Sequence, residues 1–117
     1  MKRLLAIATA SLLAATAQAA DPNGRFHIVG AGTVTCQRFL TADDQEKRYV
    51  ETWWAGYITA INRTTPETYN MTAGASADQV NAMLREHCAA NPEALLAVAV
   101  HAVAGKLYPN RARQAPN

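Results

Sequence analysis

Residues 49–61 read YVETWWAGYITAI, and this stretch decides the fold class. Its large apolar side chains recur three and four positions apart, which is the spacing of one face of an α-helix. They are Tyr49, Val50, Trp53, Trp54, Tyr57, Ile58 and Ile61. Adjacent helical residues point about 100° apart, so one of the two tryptophans is expected at the edge of the core. The stretch predicts a long amphipathic helix that packs against other helices.

The residues before this stretch predict how the chain enters the helix. A helix start near Thr41 is expected because its first turns carry three acidic residues, which suit the positive end of the helix dipole: Asp43, Asp44 and Glu46. Residues 36–40 are expected to form a short helical turn capped by Thr35. Residues 20–35 contain glycines and β-branched residues, which predict an extended arm or a short hairpin.

The residues after the stretch predict two more helices, separated from it by a Thr-rich loop over residues 63–75. Ser76 and Gln79 have the spacing of a capping box, so a helix is expected to begin there and to turn Cys88 toward the core. The Asn91-Pro92 pair is typical of a helix N-terminus and predicts the start of the last helix.

Tyr108-Pro109 is expected to end that last helix, since proline cannot continue it. The remaining residues 109–117 are predicted to be a disordered tail. The expected fold is therefore a small, single-domain all-α helical bundle over residues 36–108, with a short extended N-terminal arm.

The N-terminus has the features of a secretory signal peptide over residues 1–19. Lys2 and Arg3 are positive, an apolar Ala/Leu-rich segment follows, and residues 17–19 read AQA, a small-x-small cleavage site. The apolar segment is too short to span a membrane. We therefore expect a periplasmic or secreted protein of about 98 residues after cleavage, with no membrane span.

Cys36 and Cys88 are the only cysteines of the chain. A domain this small has a marginal hydrophobic core, and an oxidising compartment allows disulfides to persist. One bridge between the two cysteines is therefore expected, which would join the short helical turn to the third helical segment. Two free thiols, or bridges between molecules, are the alternatives.

Charge and motifs exclude several classes of function. Without Lys2 and Arg3 the chain has nine basic and nine acidic residues, and no nucleic-acid footprint is visible. The chain contains no Cys-x-x-Cys pair, phosphate-binding glycine loop, HExxH or G-x-S-x-G. His87 and Cys88 are adjacent but point apart on a helix, so no metal site is expected. Neither an enzyme nor a cofactor is predicted, and binding is the expected activity.

Acid would change the charge balance strongly. At pH 2–3 the carboxylates are mostly protonated and the histidines are charged, which leaves about twelve positive side-chain charges. The three histidines are His27, His87 and His101. This swing permits acid sensing but does not demonstrate it.

Three segments together resemble the HdeA/HdeB family of periplasmic acid-stress chaperones. They are TCQRFL at residues 35–40, the Trp53-Trp54 pair, and CAANP at residues 88–92. The resemblance runs from about Thr35 to Leu107. It implies a small all-α bundle in which Cys36 is bridged to Cys88.

By the same resemblance, the protein would be a homodimer near neutral pH that loosens in acid and holds unfolding periplasmic proteins on exposed apolar surface. The candidate client-binding or dimer-binding residues are Trp53, Trp54, Tyr57, Ile58 and Ile61. This interpretation is the preferred one.

A second resemblance gives an alternative. Residues 53–58 read WWAGYI and are similar to the W-x-x-G-Y-x-x-G signature of the Rap/Tai family of type VI secretion immunity proteins, with Ala60 in place of the last glycine. That resemblance implies a periplasmic protein that binds and inhibits one secreted amidase effector. The candidate effector-binding loop would then be centred on Tyr69, Asn70 and Met71.

Overall fold

The computed structural model describes residues 20–117, so the predicted signal peptide over residues 1–19 lies outside the described residues. Four α-helices follow one another: α1 Cys36–Leu40, α2 Asp44–Thr64, α3 Ala77–Ala90 and α4 Leu96–Leu107. Two short 3-10 helices flank them, Gly30–Thr33 before α1 and Tyr108–Asn110 after α4. The described part of the chain contains two isolated β-bridges and no β-strand, and the predicted all-α fold is confirmed.

The long helix α2 begins at Asp44 rather than near Thr41. Asp43 is its N-cap: the carboxylate accepts a 2.9 Å hydrogen bond from the Glu46 N–H, and the Glu46 carboxylate accepts a 3.1 Å bond from the Asp43 N–H. An N-cap residue has extended backbone, so this capping box sets the first helical residue at 44. Acidic residues near a helix start suit both the cap and the first turn, which is why the sequence pattern placed the boundary too early.

Helix α3 begins where the sequence predicts. The Ser76 hydroxyl accepts a hydrogen bond from the Gln79 N–H, and the Gln79 side chain accepts one from the Ser76 N–H. The predicted cap of Thr35 on α1 is present as well, since its hydroxyl accepts from the Arg38 N–H. Both helix starts are therefore set by short polar motifs that can be recognised in the sequence.

Helix α4 begins at Leu96, and the prediction that Asn91-Pro92 opens it is wrong. Asn91 is instead the C-cap of α3, and its side-chain amide donates to the His87 carbonyl at 2.9 Å. The next residues form a turn whose carbonyls bind the start of α1. The Pro92 carbonyl accepts from the Gln37 N–H at 2.9 Å, and the Ala94 carbonyl accepts from the Cys36 N–H at 2.8 Å.

The core lies between α1, α3 and α4, with α2 closing it from one side. The Cys36–Cys88 disulfide joins α1 to α3, and both cysteines are fully buried. The predicted bridge is thus present, and it replaces the alternatives of free thiols or intermolecular bridges. The other large side chains at the centre are Val80, Leu84, Leu96, Val100 and Val103.

The C-terminal segment differs from the predicted disordered tail over residues 109–117. Asn70 and Ala112 exchange backbone hydrogen bonds of 3.0 and 2.9 Å. The Arg111 side chain is buried, lies 3.8 Å from the centre of the Tyr108 ring and donates to the Thr68 hydroxyl. A cation–π contact and hydrogen bonds to a distant loop therefore order the chain as far as residue 112.

Candidate functional site on α2 and α4

Helix α2 places the predicted client-binding residues at two depths. Trp54 and Ile58 are buried in the core, whereas Trp53, Tyr57 and Ile61 are half-buried along its edge. One tryptophan at the edge of the core is what the 100° offset predicts. Tyr49, at the start of the same stripe, is 58% exposed and lies outside the core.

A chain of hydrogen bonds holds the buried tryptophan in place. The Trp54 indole N–H donates to the side-chain oxygen of Asn81 on α3 at 3.0 Å. The amide nitrogen of Asn81 in turn donates to the Glu51 carboxylate at 3.1 Å. Because a buried N–H without a partner is costly, this network fixes both the rotamer of Trp54 and the contact of α2 with α3.

The N-terminal arm, residues 20–35, covers the half-buried tryptophan. The Trp53 indole N–H donates a 2.7 Å hydrogen bond to the Val29 carbonyl, and the indole stacks on Tyr57 with ring centres 5.4 Å apart. Gly30 has a positive φ of 68°, which turns the extended arm into the 3-10 helix beside Trp53. Val29 thus has extended backbone, and residues 30–33 form a 3-10 helix in place of the hairpin that the sequence also allowed.

Tyr57 connects α2 to α4. Its hydroxyl lies 3.1 Å from Nδ1 of His101, and the two rings meet edge to face. Desolvation by burial raises the pKa of Tyr57, so the side chain stays a neutral phenol over the whole physiological range. The pair forms a bridge between α2 and α4.

On either side of this bridge the surface is concave. A cavity of about 400 Å³ lies toward the arm and a second, of about 540 Å³, lies toward the C-terminus. Tyr57 and His101 line both, so the two cavities adjoin at this pair and together make a groove-shaped surface along α2 and α4. We call it the α2–α4 groove and define it by Tyr57, Ile61, Ala97, Val98, His101 and Tyr108.

The groove contains residues that the sequence analysis did not single out. Ala97, Val98 and His101 lie on α4, and Phe26 of the arm lines the open end. Val98 and Phe26 are 51% and 67% exposed, although both are apolar. The only sequence signal for this groove was Val98, an apolar residue outside the buried stripe of α4. A single exposed apolar residue is common on protein surfaces.

The loop proposed for effector binding is divided between surface and core. Tyr69 is 52% exposed, but Met71 is only 2% exposed and belongs to the hydrophobic core. The Met71 N–H donates to the Asn62 side chain at 2.7 Å, and Asn70 pairs with Ala112. Of the three residues, Tyr69 alone offers a large side chain to a partner.

In the part of the chain that the structure describes, four isolated ion pairs lie on the surface. The ion pairs are Asp21–Arg25, Arg38–Glu46, Asp44–Lys47 and Glu67–Arg113. Within residues 20–117, no three His, Cys, Asp or Glu side chains come together as a metal site would require. Cys88 is in the disulfide and offers no thiolate beside His87. None of the described helices is both long and apolar enough to cross a membrane.

The family model of the HdeA/HdeB family matches residues 3–98, which is most of the chain. The fold, the disulfide and this match agree, and the protein belongs to the HdeA/HdeB family. Membership supports, at the level of the family, a periplasmic acid-stress chaperone role and not an enzymatic one. The immunity-protein alternative gains no support from this match. No curated protein and no solved structure matches the chain.

Proposed function

We propose that this protein is a periplasmic chaperone that, at low pH, binds unfolding proteins through the apolar edge of α2. The observation that carries the proposal is the partial burial of Trp53, Tyr57 and Ile61. They are large, apolar and only half-buried, and the arm covers Trp53. A chaperone of this kind needs apolar surface that is shielded in the resting state and released without complete unfolding.

The contact between arm and helix is weak enough to be reversible. Within the described residues, the bond from Trp53 to Val29 is the only hydrogen bond that joins residues 25–29 to the helices. A single neutral hydrogen bond contributes about 0.5–1.5 kcal/mol of net stability. Residues 25–29 can therefore detach at a small fraction of the free energy that unfolding the disulfide-linked core would cost. Residues 31–34 stay attached through buried Ala31 and the bond from the Leu96 N–H to the Val34 carbonyl.

Low pH favours detachment of the arm from α2. Protonation of nine carboxylates removes the surface ion pairs and leaves the positive side chains to repel one another. Each exposed pair contributes only about 0.2–1 kcal/mol, so loss of the pairs alone is a small effect, and repulsion among the positive side chains adds to it. The disulfide meanwhile keeps α1 attached to α3, which favours partial loosening over complete unfolding.

The proposed partners are unfolding periplasmic proteins, with no single preferred sequence. The same half-buried edge of α2, continued by the exposed Phe26, Val29 and Val98, is the proposed contact of a homodimer near neutral pH. Dissociation in acid would then uncover client-binding surface on both copies.

The test compares the full mature protein at pH 7 and pH 2 by dye binding, sedimentation and suppression of client aggregation. We expect a compact form at pH 7, and a loosened form at pH 2 that binds dye and keeps a model client in solution. Trp53→Ser should reduce client protection at pH 2, while Tyr69→Ser, an exposed aromatic away from α2, should not. An unchanged packing at pH 2, with no client protection, would contradict the proposal.

A further inference from the structure

The arm residues Phe26 to Val29 lie across α2 and α4 like a bound peptide. Val29 has extended backbone, the segment is mostly apolar, and it faces Trp53, Tyr57 and Ala97 across a small cavity. Its polar contact with α2 uses a backbone carbonyl, that of Val29, and no side chain of its own. Any extended segment presents a carbonyl at this position, so this kind of contact does not depend on sequence.

The arm covers the α2–α4 groove without filling it. A cavity of about 190 Å³ remains between the arm residues 26–29 and the two helices. Phe26 and Val29 stay 67% and 66% exposed. Packing with voids forfeits much of the dispersion energy of a close-packed contact, so the arm is a weak ligand for the surface that it covers.

The groove extends well beyond the arm. On the far side of Tyr57 and His101 lies a second cavity of about 540 Å³, with Tyr108 among its lining residues. Its walls are mainly apolar, from Ile61 and Met71 to Ala104, and the Tyr57 and His101 tips are its central polar groups. A longer extended chain would bury more apolar surface here than the arm does and would therefore displace it.

We propose that the α2–α4 groove binds an extended apolar segment of an unfolding protein, and that arm residues 26–29 occupy its open end as an intramolecular substitute. The inference rests on the proposed chaperone function and adds the place and the form of the bound segment. It follows that the arm competes with the client. The apparent dissociation constant at neutral pH then equals the intrinsic one divided by the fraction of molecules whose arm is open.

The test uses the full mature chain at pH 7 and a fluorophore-labelled peptide that copies residues 24–30, GRFHIVG, as the probe. Phe26→Ser combined with Ile28→Ser should weaken the closed arm while leaving its backbone intact. We expect this double variant to bind the peptide at least tenfold more tightly than the natural sequence. Tyr69→Ser, the matched change of an exposed aromatic outside the groove, should leave the affinity unchanged.

Val98→Lys, added to the double variant, places a charge on the groove wall. Val98 is half exposed, so the helix should tolerate lysine, and circular dichroism with a thiol assay checks that the fold and disulfide remain. We expect this variant to lose the gained affinity. Equal affinities for all four proteins, or full binding in the lysine variant, would overturn the proposal.

The peptide titration is made at a protein concentration at which sedimentation shows monomers, because the proposed dimer contact includes Phe26 and Val98 of the groove lining. Peptide binding is measured at pH 7 without any client, so it can succeed even where acid protection of clients fails. The groove and the chaperone function are thus tested separately.

Discussion

Gly32 lies directly against the indole ring of Trp53, and the contact leaves no room for a side chain. A Cβ atom at this position would stand 2.6 Å from Cη2 of Trp53 and 2.7 Å from a methyl carbon of Ile28. The backbone conformation of Gly32 is open to any residue, because its φ is not positive. The absence of a side chain is therefore required by the closeness of the arm to α2 and not by the turn itself.

Gly32→Ala should detach the arm from Trp53. Overpacking of this kind costs about 1–3 kcal/mol, and here the arm is the part that can move. We expect a lower midpoint in urea and faster quenching of Trp53 fluorescence by acrylamide at pH 7. Gly56→Ala is the control, because a Cβ there meets no atom within 4 Å and alanine should stabilise the helix by about 0.5–1 kcal/mol. Equal behaviour of the two variants would contradict the close contact.

Asn81→Ala should destabilise the α2–α3 contact by about 1–3 kcal/mol, because it leaves the buried indole N–H of Trp54 without an acceptor. Urea denaturation measures the change. Adding Trp54→Phe removes the unpaired donor, so the double variant should lose less than the two single variants together. Additive losses would show that Asn81 acts through packing and not through this hydrogen bond.

Asp21 should keep its charge to a lower pH than an ordinary aspartate does. The Arg25 N–H, which donates to its carboxylate at 2.8 Å, is the main cause that lowers the pKa of Asp21 below its ordinary value. A lowered pKa means that the charged form stabilises the Asp21–Arg25 turn. That contribution is present above the ordinary pKa and is lost as the pH falls through the lowered one. NMR titration should show this pKa together with faster exchange of the Arg25 amide in acid, and Asp21→Asn should abolish the pH dependence of that exchange.

The disulfide should carry a large part of the total stability. It closes a loop with a sequence separation of 52, which corresponds to about 4 kcal/mol in the chain-entropy model. Replacing Cys36 and Cys88 together by serine should cost about 2–5 kcal/mol in urea denaturation. Intact mass with and without reductant should differ by two hydrogen atoms in the natural protein. Free thiols that alkylate before reduction would contradict the bridge.

The helices could be predicted from the sequence wherever a local pattern determines them. The stripe from Val50 to Ile58 and the Ser76–Gln79 capping box are complete within a few residues, and both lie as expected. The sequence wrongly predicts Asn91 as the start of the last helix, because an Asn-Pro pair suits either end of a helix. The choice depends on the hydrogen bonds that Pro92 and Ala94 make to α1, more than fifty positions away in the chain.

The candidate groove could not be predicted, because its parts come from distant segments. Val29 and Trp53 are 24 residues apart, and Tyr57 and His101 are 44 apart. Neither pair can be recognised from a periodic pattern in the sequence, because each forms only when the arm and α4 pack on α2. Arg111 likewise resembles a surface residue in the sequence and is buried only because Tyr108 and Thr68 surround it.

Met71 and Tyr69 should give opposite results, although they are two positions apart in the same loop. Met71→Ala removes a side chain that is 98% buried among the helices and should cost about 2–5 kcal/mol in urea denaturation. Tyr69→Ala changes an exposed side chain and should stay within about 0.5 kcal/mol. The comparison measures whether this loop is part of the core or a detachable surface element.

The burial of Met71 and the exposure of Tyr69 also decide how the effector-binding alternative is tested. Deleting residues 69–71 would remove a core side chain and the pairing of Asn70 with Ala112, so lost binding after that deletion would only report lost folding. Tyr69→Ala avoids this problem, because it leaves the backbone and Met71 in place. If the variant keeps its stability and still protects clients in acid, the loop is a structural connection. Nanomolar binding of one secreted amidase that this substitution abolishes would instead assign the loop to an effector and contradict the chaperone proposal.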